Sequence, residues 1–194
     1  MIGFIQARIR TVFWTIFYQV IGRLVFKKMG KGVKFEGWID IPQRGGLITI
    51  GNGVRVCRLV EFSVPKSGTL VVGDGVYIGR GVIMSAHSKI VIGANTLVAE
   101  NVSIHDNNHN HCTTDPNCTI PSQGFSSAPV EIGCNCWIGA HAILVKGSGL
   151  GAGCTVGAGA VVTKTFPART TIIGVPARPI KQNGSLTFSV DDRA

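Results

Sequence analysis

Three histidines stand within seven consecutive positions of this 194-residue chain: His105, His109 and His111. Neither a helical period nor a strand period places all three on one face, and the surrounding chain is regular, apolar and rich in glycine. Imidazole has a pKa close to working pH and is the usual base where a hydroxyl must lose its proton to become a nucleophile. The cluster therefore predicts proton transfer at a substrate, with each histidine a candidate base.

Two cysteines near the same segment, Cys112 and Cys118, indicate a second chemistry, in which a thiolate acts as the nucleophile and forms a covalent intermediate. Nothing in the adjacent sequence marks either thiol as activated, so we favour the histidines. The six cysteines include no CxxC pair. Their scatter favours reduced thiols in the cytoplasm over a disulfide framework or structural zinc.

A six-residue repeat surrounds the histidine cluster. From residue 47 onward, an aliphatic residue followed by a small one recurs in steps of six. Examples are Ile50-Gly51, Val72-Gly73, Ile78-Gly79, Ile92-Gly93, Val98-Ala99, Ile132-Gly133, Ile138-Gly139, Leu150-Gly151 and Val156-Gly157. This period fits a short strand plus a tight corner, three times per turn of a triangular coil that buries its aliphatic residues by stacking on its neighbours. The pattern predicts an all-β, parallel β-helix of about five coils, with a long inserted loop near residues 105–130.

The blocks WIGAHAIL, VGAGAVVTK and GVPAR follow one another between residues 137 and 178. In that order they resemble the hexapeptide-repeat acetyltransferases, and most closely the saccharide O-acetyltransferase branch with the galactoside and maltose enzymes. The resemblance covers roughly residues 47–182. It implies a left-handed parallel β-helix, homotrimers with active sites between neighbouring subunits, and direct transfer of an acetyl group from acetyl-CoA to a saccharide hydroxyl. The family's pathways imply a role in the modification of surface polysaccharides or other glycans.

The same resemblance implies roles for individual residues. The family carries its base in a DxxH-like turn before the long loop, and the segment from Asp106 to His109 matches that form. His109 is therefore the expected general base, with Asp106 orienting it, and His105 and His111 are the alternatives. The donor would be bound by small residues along its pantetheine arm and by cations at its phosphates. The implied donor-binding residues are Trp137, Ala140, Ala158, Thr163, Lys164, Arg178 and Lys181, and no metal is expected.

Three other functions fit parts of the pattern. An amino-sugar N-acetyltransferase would need much the same groove. A γ-type carbonic anhydrase uses the same solenoid with three zinc-binding histidines, for which His87, His105 and His109 are available. The spacing of the last two is one residue short of that family's pattern, and the VGAGAVVTK and GVPAR blocks favour coenzyme A. A non-catalytic scaffold is disfavoured because the loop histidines and the basic residues are both present.

The net charge of +9 is concentrated at one end, because residues 1–34 contain seven lysines and arginines and no acidic residue. A nucleic-acid-binding protein usually spreads such charge over its folded surface, so no nucleic-acid partner is expected. Apolar residues recur there at helical spacing: Ile5, Ile9, Phe13, Ile16, Val20 and Leu24. The uncharged stretch is too short to span a bilayer. The segment predicts a helix that packs on its own domain or on a partner subunit, or lies at the inner face of the cell membrane.

These patterns divide the chain into three parts. Residues 1–46 form an amphipathic basic helix and lead-in, residues 47–166 form the β-helix with its inserted loop, and residues 167–194 form a C-terminal extension with a polar tail.

Overall fold

The computed structural model describes residues 2–43, 45–111 and 119–182. A single long helix, α1 (Ile2–Val25), precedes short β-strands wound into coils. The strands of the first three coils are β1 (Lys28–Met29), β2 (Lys34–Phe35), β3 (Ile39–Asp40), β4 (Leu47–Ile50), β5 (Arg55–Val56), β6 (Val60–Ser63), β7 (Thr69–Val72), β8 (Tyr77–Ile78) and β9 (Ile83–Ser85). The fourth coil comprises β10 (Lys89–Ile92), β11 (Leu97–Val98) and β12 (Ser103–His105).

An inserted hairpin follows the fourth coil. It consists of β13 (Asn107–His109) and β14 (Phe125–Ser127), with a 3-10 helix at Ile120–Gln123. The coils then resume with β15 (Val130–Ile132), β16 (Trp137–Ile138), β17 (Ile143–Leu144), β18 (Gly149–Leu150), β19 (Thr155–Val156), β20 (Val161–Val162), β21 (Thr165–Phe166), β22 (Thr170–Ile173) and β23 (Arg178–Gln182).

The coils stack into three sheets. The first sheet has the order β1-β4-β7-β10-β15-β18-β21, the second β2-β5-β8-β11-β16-β19-β22-β23, and the third β3-β6-β9-β12-β17-β20. Strands pair in parallel within each sheet, except that β23 runs antiparallel to β22. Six complete coils and part of a seventh result, and the predicted parallel β-solenoid with one N-terminal helix is confirmed.

The hexad pattern follows from the contacts between coils. The aliphatic residue of each hexad points inward and is buried, as Val72 and Ile138 are. The small residue after it lies against the backbone of the next coil. A Cβ atom on Gly73 would lie 2.7 Å from the backbone nitrogen of Ala94, and one on Gly139 would lie 2.6 Å from that of Ala158. A larger side chain there would push the coils apart and open the packed core.

The strands begin one coil earlier than the predicted boundary at residue 47, which explains the prediction of five coils. The first coil has the second coil on one side and a helix on the other, and an aromatic residue, Phe35, stands at one of its aliphatic positions. Phe35 is fully buried and its ring centroid lies 4.5 Å from that of Tyr18 on α1. At the other end, β22 pairs in parallel with β19, so the solenoid continues beyond the predicted boundary at residue 166.

Helix α1 covers the open edge of the first coil. The Tyr18 hydroxyl accepts a hydrogen bond from the backbone N–H of Ile39 at 2.8 Å, and the Thr15 hydroxyl accepts one from Phe35 at 3.1 Å. Terminal coils of a solenoid need such a cap because their strands have a neighbour on one side only. Of the settings predicted for this helix, packing on its own domain is the one that the structure shows. None of the helices in the described ranges is long and apolar enough to cross a membrane.

Candidate active site

A cleft of about 670 Å³ opens beside the inserted hairpin, at the corner where the third sheet turns into the first. His105, His109 and His111 all line it, and His87 joins them from the preceding coil. The other lining residues carry no formal charge: Gln43, Ser63, Ser85, Asn107, Asn108, Phe125 and Val145. The fold thus gathers four imidazoles into one cleft with otherwise neutral walls.

His105 is the last residue of β12 and belongs to the solenoid itself. It pairs in register with Ser85 of β9, which in turn pairs with Ser63 of β6. Partial burial lowers the pKa of His105, and the nearby carboxylates of Glu61 and Asp106 oppose that shift. The ring is therefore neutral at pH 7 and able to accept a proton.

His109 ends strand β13 of the hairpin and lies opposite Phe125 of β14. The centroid of its ring is 4.2 Å from that of Phe125, and the ring of His87 lies 4.6 Å from the same phenyl group. Phe125 therefore contacts both imidazoles and ties the hairpin to the solenoid corner. The side chain of His109 is exposed, so a substrate in the cleft can reach it.

Asp106 does not orient His109, which corrects the role expected from the sequence. Its side chain is fully buried. One carboxylate oxygen accepts hydrogen bonds from the backbone N–H of His87 at 2.7 Å and from the Asn107 side chain at 3.2 Å, and the other accepts from the N–H groups of Ser88 and Lys89 at 2.7 and 2.6 Å. These donors occupy both oxygens. The carboxylate holds the turn that carries His87, because without it three part-buried backbone donors would lose their acceptor.

The structure gives less support to the two alternative chemistries, a covalent cysteine intermediate and a zinc site. Cys112 and Cys118 lie outside the described residues. Within residues 2–43, 45–111 and 119–182, no group of three or more His, Cys, Asp or Glu side chains has a geometry that could hold a metal ion. His87, His105 and His109 share the cleft without converging on one point.

Two of the expected donor-binding residues stack at the corner between the second and third sheets. The backbone N–H of Gly159 donates to the carbonyl of Ala140 at 2.8 Å, which places Ala158 directly above Ala140 on the next coil. Trp137 begins β16, pairs with Leu97 and Thr155, and has more than half of its side chain exposed. The predicted stacking of the two alanines on one face is confirmed.

Thr163 and Lys164 lie on a different corner, between β20 and β21, and both are exposed. This is the corner that carries the cleft, two coils beyond His105. At a strand spacing of about 4.8 Å, the offset along the solenoid is about 10 Å. The Lys164 ammonium lies 5.5 Å from the ring centroid of Phe166. The alanine pair and the Thr163–Lys164 pair therefore lie at two different corners of the chain.

The remaining two expected donor contacts lie on β23. Arg178 is exposed, and its guanidinium donates a hydrogen bond to the carbonyl of Ala177 at 3.0 Å. Lys181 lies opposite Thr171 in the antiparallel pair with β22.

Several residues of the cleft are absent from the sequence prediction. Ser63 and Ser85 are the last residues of β6 and β9 and stand at the same register as His105, so the repeat itself contained a signal for them. No comparable signal marks Phe125, because it lies on the second strand of the inserted hairpin, outside the repeat. Lys146 also supports the hairpin, because its ammonium donates to the Ser126 hydroxyl at 2.7 Å.

Comparisons with known proteins agree with this fold. Residues 129–164 match the family model for the bacterial transferase hexapeptide (six repeats). The galactoside O-acetyltransferase of Escherichia coli K12 is 33% identical over 74% of this chain and 70% of its own length. WbbJ of the same strain, provisionally assigned as a lipopolysaccharide biosynthesis O-acetyl transferase, is 32% identical over 81% of this chain and 82% of its own length. The chain belongs to the hexapeptide-repeat acetyltransferases.

A further relative and a solved structure extend the comparison. A provisionally assigned acetyltransferase of Mycobacterium tuberculosis is 31% identical over 79% of this chain, which spans about half (49%) of that protein. The structure of a variant of AntD, an N-acyltransferase from Bacillus cereus in complex with dTDP and coenzyme A, has a TM-score of 0.72 at 21% identity and covers 84% of this chain and 88% of its own. This second likeness concerns the fold.

Proposed function

We propose that this protein is an acetyl-CoA-dependent O-acetyltransferase that acts on a saccharide hydroxyl, in the modification of a surface polysaccharide or another glycan. The observation that carries the proposal is the cleft in which four histidines lie among uncharged, mostly polar residues, in a chain of the acetyltransferase family. Serine and asparagine side chains suit an uncharged polyhydroxyl acceptor, because they donate and accept hydrogen bonds without favouring a charge. The names of the two Escherichia coli relatives support the O-acetyl assignment.

In the proposed mechanism, His109 accepts the proton of the acceptor hydroxyl as its oxygen attacks the thioester carbonyl. The C–O bond forms, the C–S bond breaks, and the proton passes from the imidazolium to the departing coenzyme A thiolate. Holding the two substrates in line supplies much of the rate enhancement. No residue of the chain is acylated and no metal takes part.

A homotrimer would complete the donor site. Thr163 and Lys164 lie on the corner of the cleft, whereas Ala140 and Ala158 lie on another corner of the same chain. Packing one corner against the other corner of a neighbouring subunit would bring the two sets to opposite walls of a shared groove. The pantetheine arm would then run along the alanines, with Lys164, Arg178 and Lys181 near the phosphates.

The test is release of thiol from acetyl-CoA across a panel of sugars, comparing wild type with His109→Ala, His105→Ala and His111→Ala. A positioned base contributes about 10²–10⁴-fold, so His109→Ala should fall by at least about a hundredfold, with its far-UV circular dichroism unchanged. Added imidazole should restore part of its rate and should not restore that of the other two. Loss confined to His105→Ala would move the base to His105, which is the alternative that its lowered pKa supports.

An amino-sugar N-acetyltransferase is the second candidate: an amine acceptor would need much the same groove, and AntD, which shares the fold, is an N-acyltransferase. Amino sugars belong in the same acceptor panel. Turnover of the amine alone, with no turnover of hydroxyl acceptors, would replace the O-acetyl assignment. Stoichiometric zinc in the purified protein, with activity lost on chelation, would contradict the metal-free mechanism.

A further inference from the structure

We propose that the outer face of α1 docks this protein on an anionic phospholipid surface. The inference concerns a part of the molecule away from the cleft and does not depend on the proposed chemistry.

The two faces of α1 differ in what they contact. The inner face packs on the solenoid. Tyr18 is buried, and its hydroxyl accepts a hydrogen bond from the backbone N–H of Ile39. Trp14, Ile21 and Val25 pack against the core. That face accounts for the capping of the first coil. The apolar residues on the opposite side take no part in it.

The outer face carries exposed apolar residues along its length, which form an apolar stripe. Its members are Ile9 (64% exposed), Val12 (57%), Phe13 (59%), Ile16 (55%), Val20 (72%) and Leu24 (89%). On a helix with 3.6 residues per turn they fall within an arc of about 120°. An exposed apolar stripe of this kind marks an interaction surface, because leaving it in water forfeits the free energy of its burial. The groove beside Phe13, Ile16 and Val20, of about 280 Å³, has only apolar side chains along it.

Positive charge adjoins the stripe. Residues 1–34 carry seven basic residues and no acidic one. Beside the N-terminal half of α1, Arg8, Arg10 and Lys34 line a pocket of about 420 Å³ together with the ion pair between Arg55 and Glu36. Val12 of the apolar stripe also lines that pocket, so cations and apolar side chains adjoin. This arrangement matches a bilayer surface, where phosphate groups lie just outside the hydrocarbon.

Charge also decides between a membrane and a second copy of the chain. A contact between two α1 stripes would bring two segments of charge +7 together, and like charges in close contact oppose association. Anionic headgroups neutralise the same cations. The helix is long enough, at about 36 Å, to lie in the plane of the interface with the whole stripe immersed.

Co-sedimentation with vesicles tests the proposal, using the full chain with phosphatidylcholine vesicles and with vesicles that also contain phosphatidylglycerol. The wild type should bind the anionic vesicles, bind pure phosphatidylcholine much more weakly, and be released as salt is raised. Equal binding to both kinds of vesicle, or to neither, would overturn the proposal.

The structure offers a matched pair of apolar variants. Ile16 on the stripe and Ile120 in the inserted loop are exposed to similar degrees, 55% and 53%. Ile16→Glu should weaken partitioning at least tenfold, on the order expected for withholding one isoleucine from the hydrocarbon, whereas Ile120→Glu should leave it unchanged. If Ile16→Glu lowers the helix content, Leu24→Ser replaces it, because the Leu24 side chain is 89% exposed and makes little contact with the fold.

A second pair separates charge position from total charge. Arg10→Gln with Lys27→Gln should weaken binding about fivefold per cation, while the control Lys66→Gln with Arg80→Gln, which removes the same charge elsewhere, should have little effect. Equal loss in both pairs would mean nonspecific attraction and would contradict docking through α1.

Sedimentation of the Ile16→Glu variant tests whether the stripe is instead a contact between subunits. A smaller oligomer with unchanged vesicle binding would assign the stripe to a subunit interface.

Discussion

Asp106 contributes no surface to the cleft, yet it holds the backbone from residue 87 to residue 89 that carries one of the four imidazoles. A buried carboxylate that accepts several backbone N–H groups is worth more than a surface one, because its donors have no water to replace it. The residue therefore positions the site instead of taking part in proton transfer.

Replacing this carboxylate with an amide should be costly. Asp106→Asn keeps the shape but turns an NH₂ group toward backbone donors, and we expect the free energy of unfolding to fall by about 2–3 kcal/mol, with reduced activity. Urea unfolding measures the change. Asp74→Asn is the matched control, because Asp74 also accepts a backbone hydrogen bond, from Asn52 at 2.7 Å, but lies in an exposed turn. Equal losses in the two variants would contradict the role given to Asp106.

His105 should make stability depend on pH. Its pKa is lowered in the folded state, chiefly by burial, so the unfolded chain takes up the proton first as the pH falls. The contribution of the neutral ring is therefore present above the unfolded value of about 6.5 and is lost as the pH falls through the window below it. His105→Gln should lose less stability than wild type between about pH 7.5 and pH 5.5 in urea unfolding. If the free energy of unfolding fell equally with pH in wild type and variant, the role given to His105 would be wrong.

For individual residues of the site, the sequence predicted which residue types are present better than it predicted their contacts. Three histidines in one segment were visible, and all three line the cleft. Asp106 was assigned to His109 from a short turn motif, but the backbone that Asp106 binds, residues 87–89, lies at the corner where the third coil passes into the fourth. Only the stacking of coils brings it there, and a local motif carries no information about that.

At the scale of elements, one corner of the solenoid holds an unsatisfied group. Within the described ranges, the Ser148 hydroxyl is the buried side-chain polar atom that has no hydrogen-bond partner. It precedes β18 and lines a cavity of about 630 Å³ with Glu131 and Thr165. Burying a hydroxyl without a partner costs stability, so this corner is less stable than its apolar counterparts.

Ser148→Ala should therefore stabilise the protein, by about 1 kcal/mol, which raises the melting temperature by about 2–4 °C in a chain of this size. Thr96→Val is the control with the opposite sign, since the Thr96 hydroxyl donates to the carbonyl of Gly133 at 3.0 Å and accepts from the N–H of Cys136 at 3.2 Å. Thermal unfolding of the two variants decides the matter. Destabilisation by Ser148→Ala would show that the hydroxyl has a partner in solution.

The repeat predicted the middle coils and missed the end ones for a physical reason. A hexad is required where a coil has a coil on both sides, because the small residue must admit the neighbouring backbone, as at Gly73. The first coil meets α1, and there Phe35 fills the space that an aliphatic residue fills elsewhere. The strands of the first coil are therefore regular in the structure, although their sequence does not follow the hexad pattern.

For the whole molecule, the proposed donor site predicts a trimer, because Ala140 and Ala158 lie at one corner of the chain and Thr163 and Lys164 at another. The protein should sediment at three times the mass of its 20.5 kDa chain, and catalytic activity should be lost when the trimer is dissociated by dilution or mild denaturant. Analytical ultracentrifugation combined with the thiol-release assay tests this. A fully active monomer would require the acetyl donor to bind along a single chain, and the shared groove would be wrong.

The hydroxyls of Thr15 and Tyr18 occupy the positions that another strand would take beside Phe35 and Ile39. A chain trimmed to begin after α1 would bare a row of backbone donors and acceptors at a flat edge, which is the template on which strands of other molecules add. Such a product should grow end to end into filaments that bind amyloid dyes. The N-terminal helix therefore also prevents further chains from adding to the end of the solenoid.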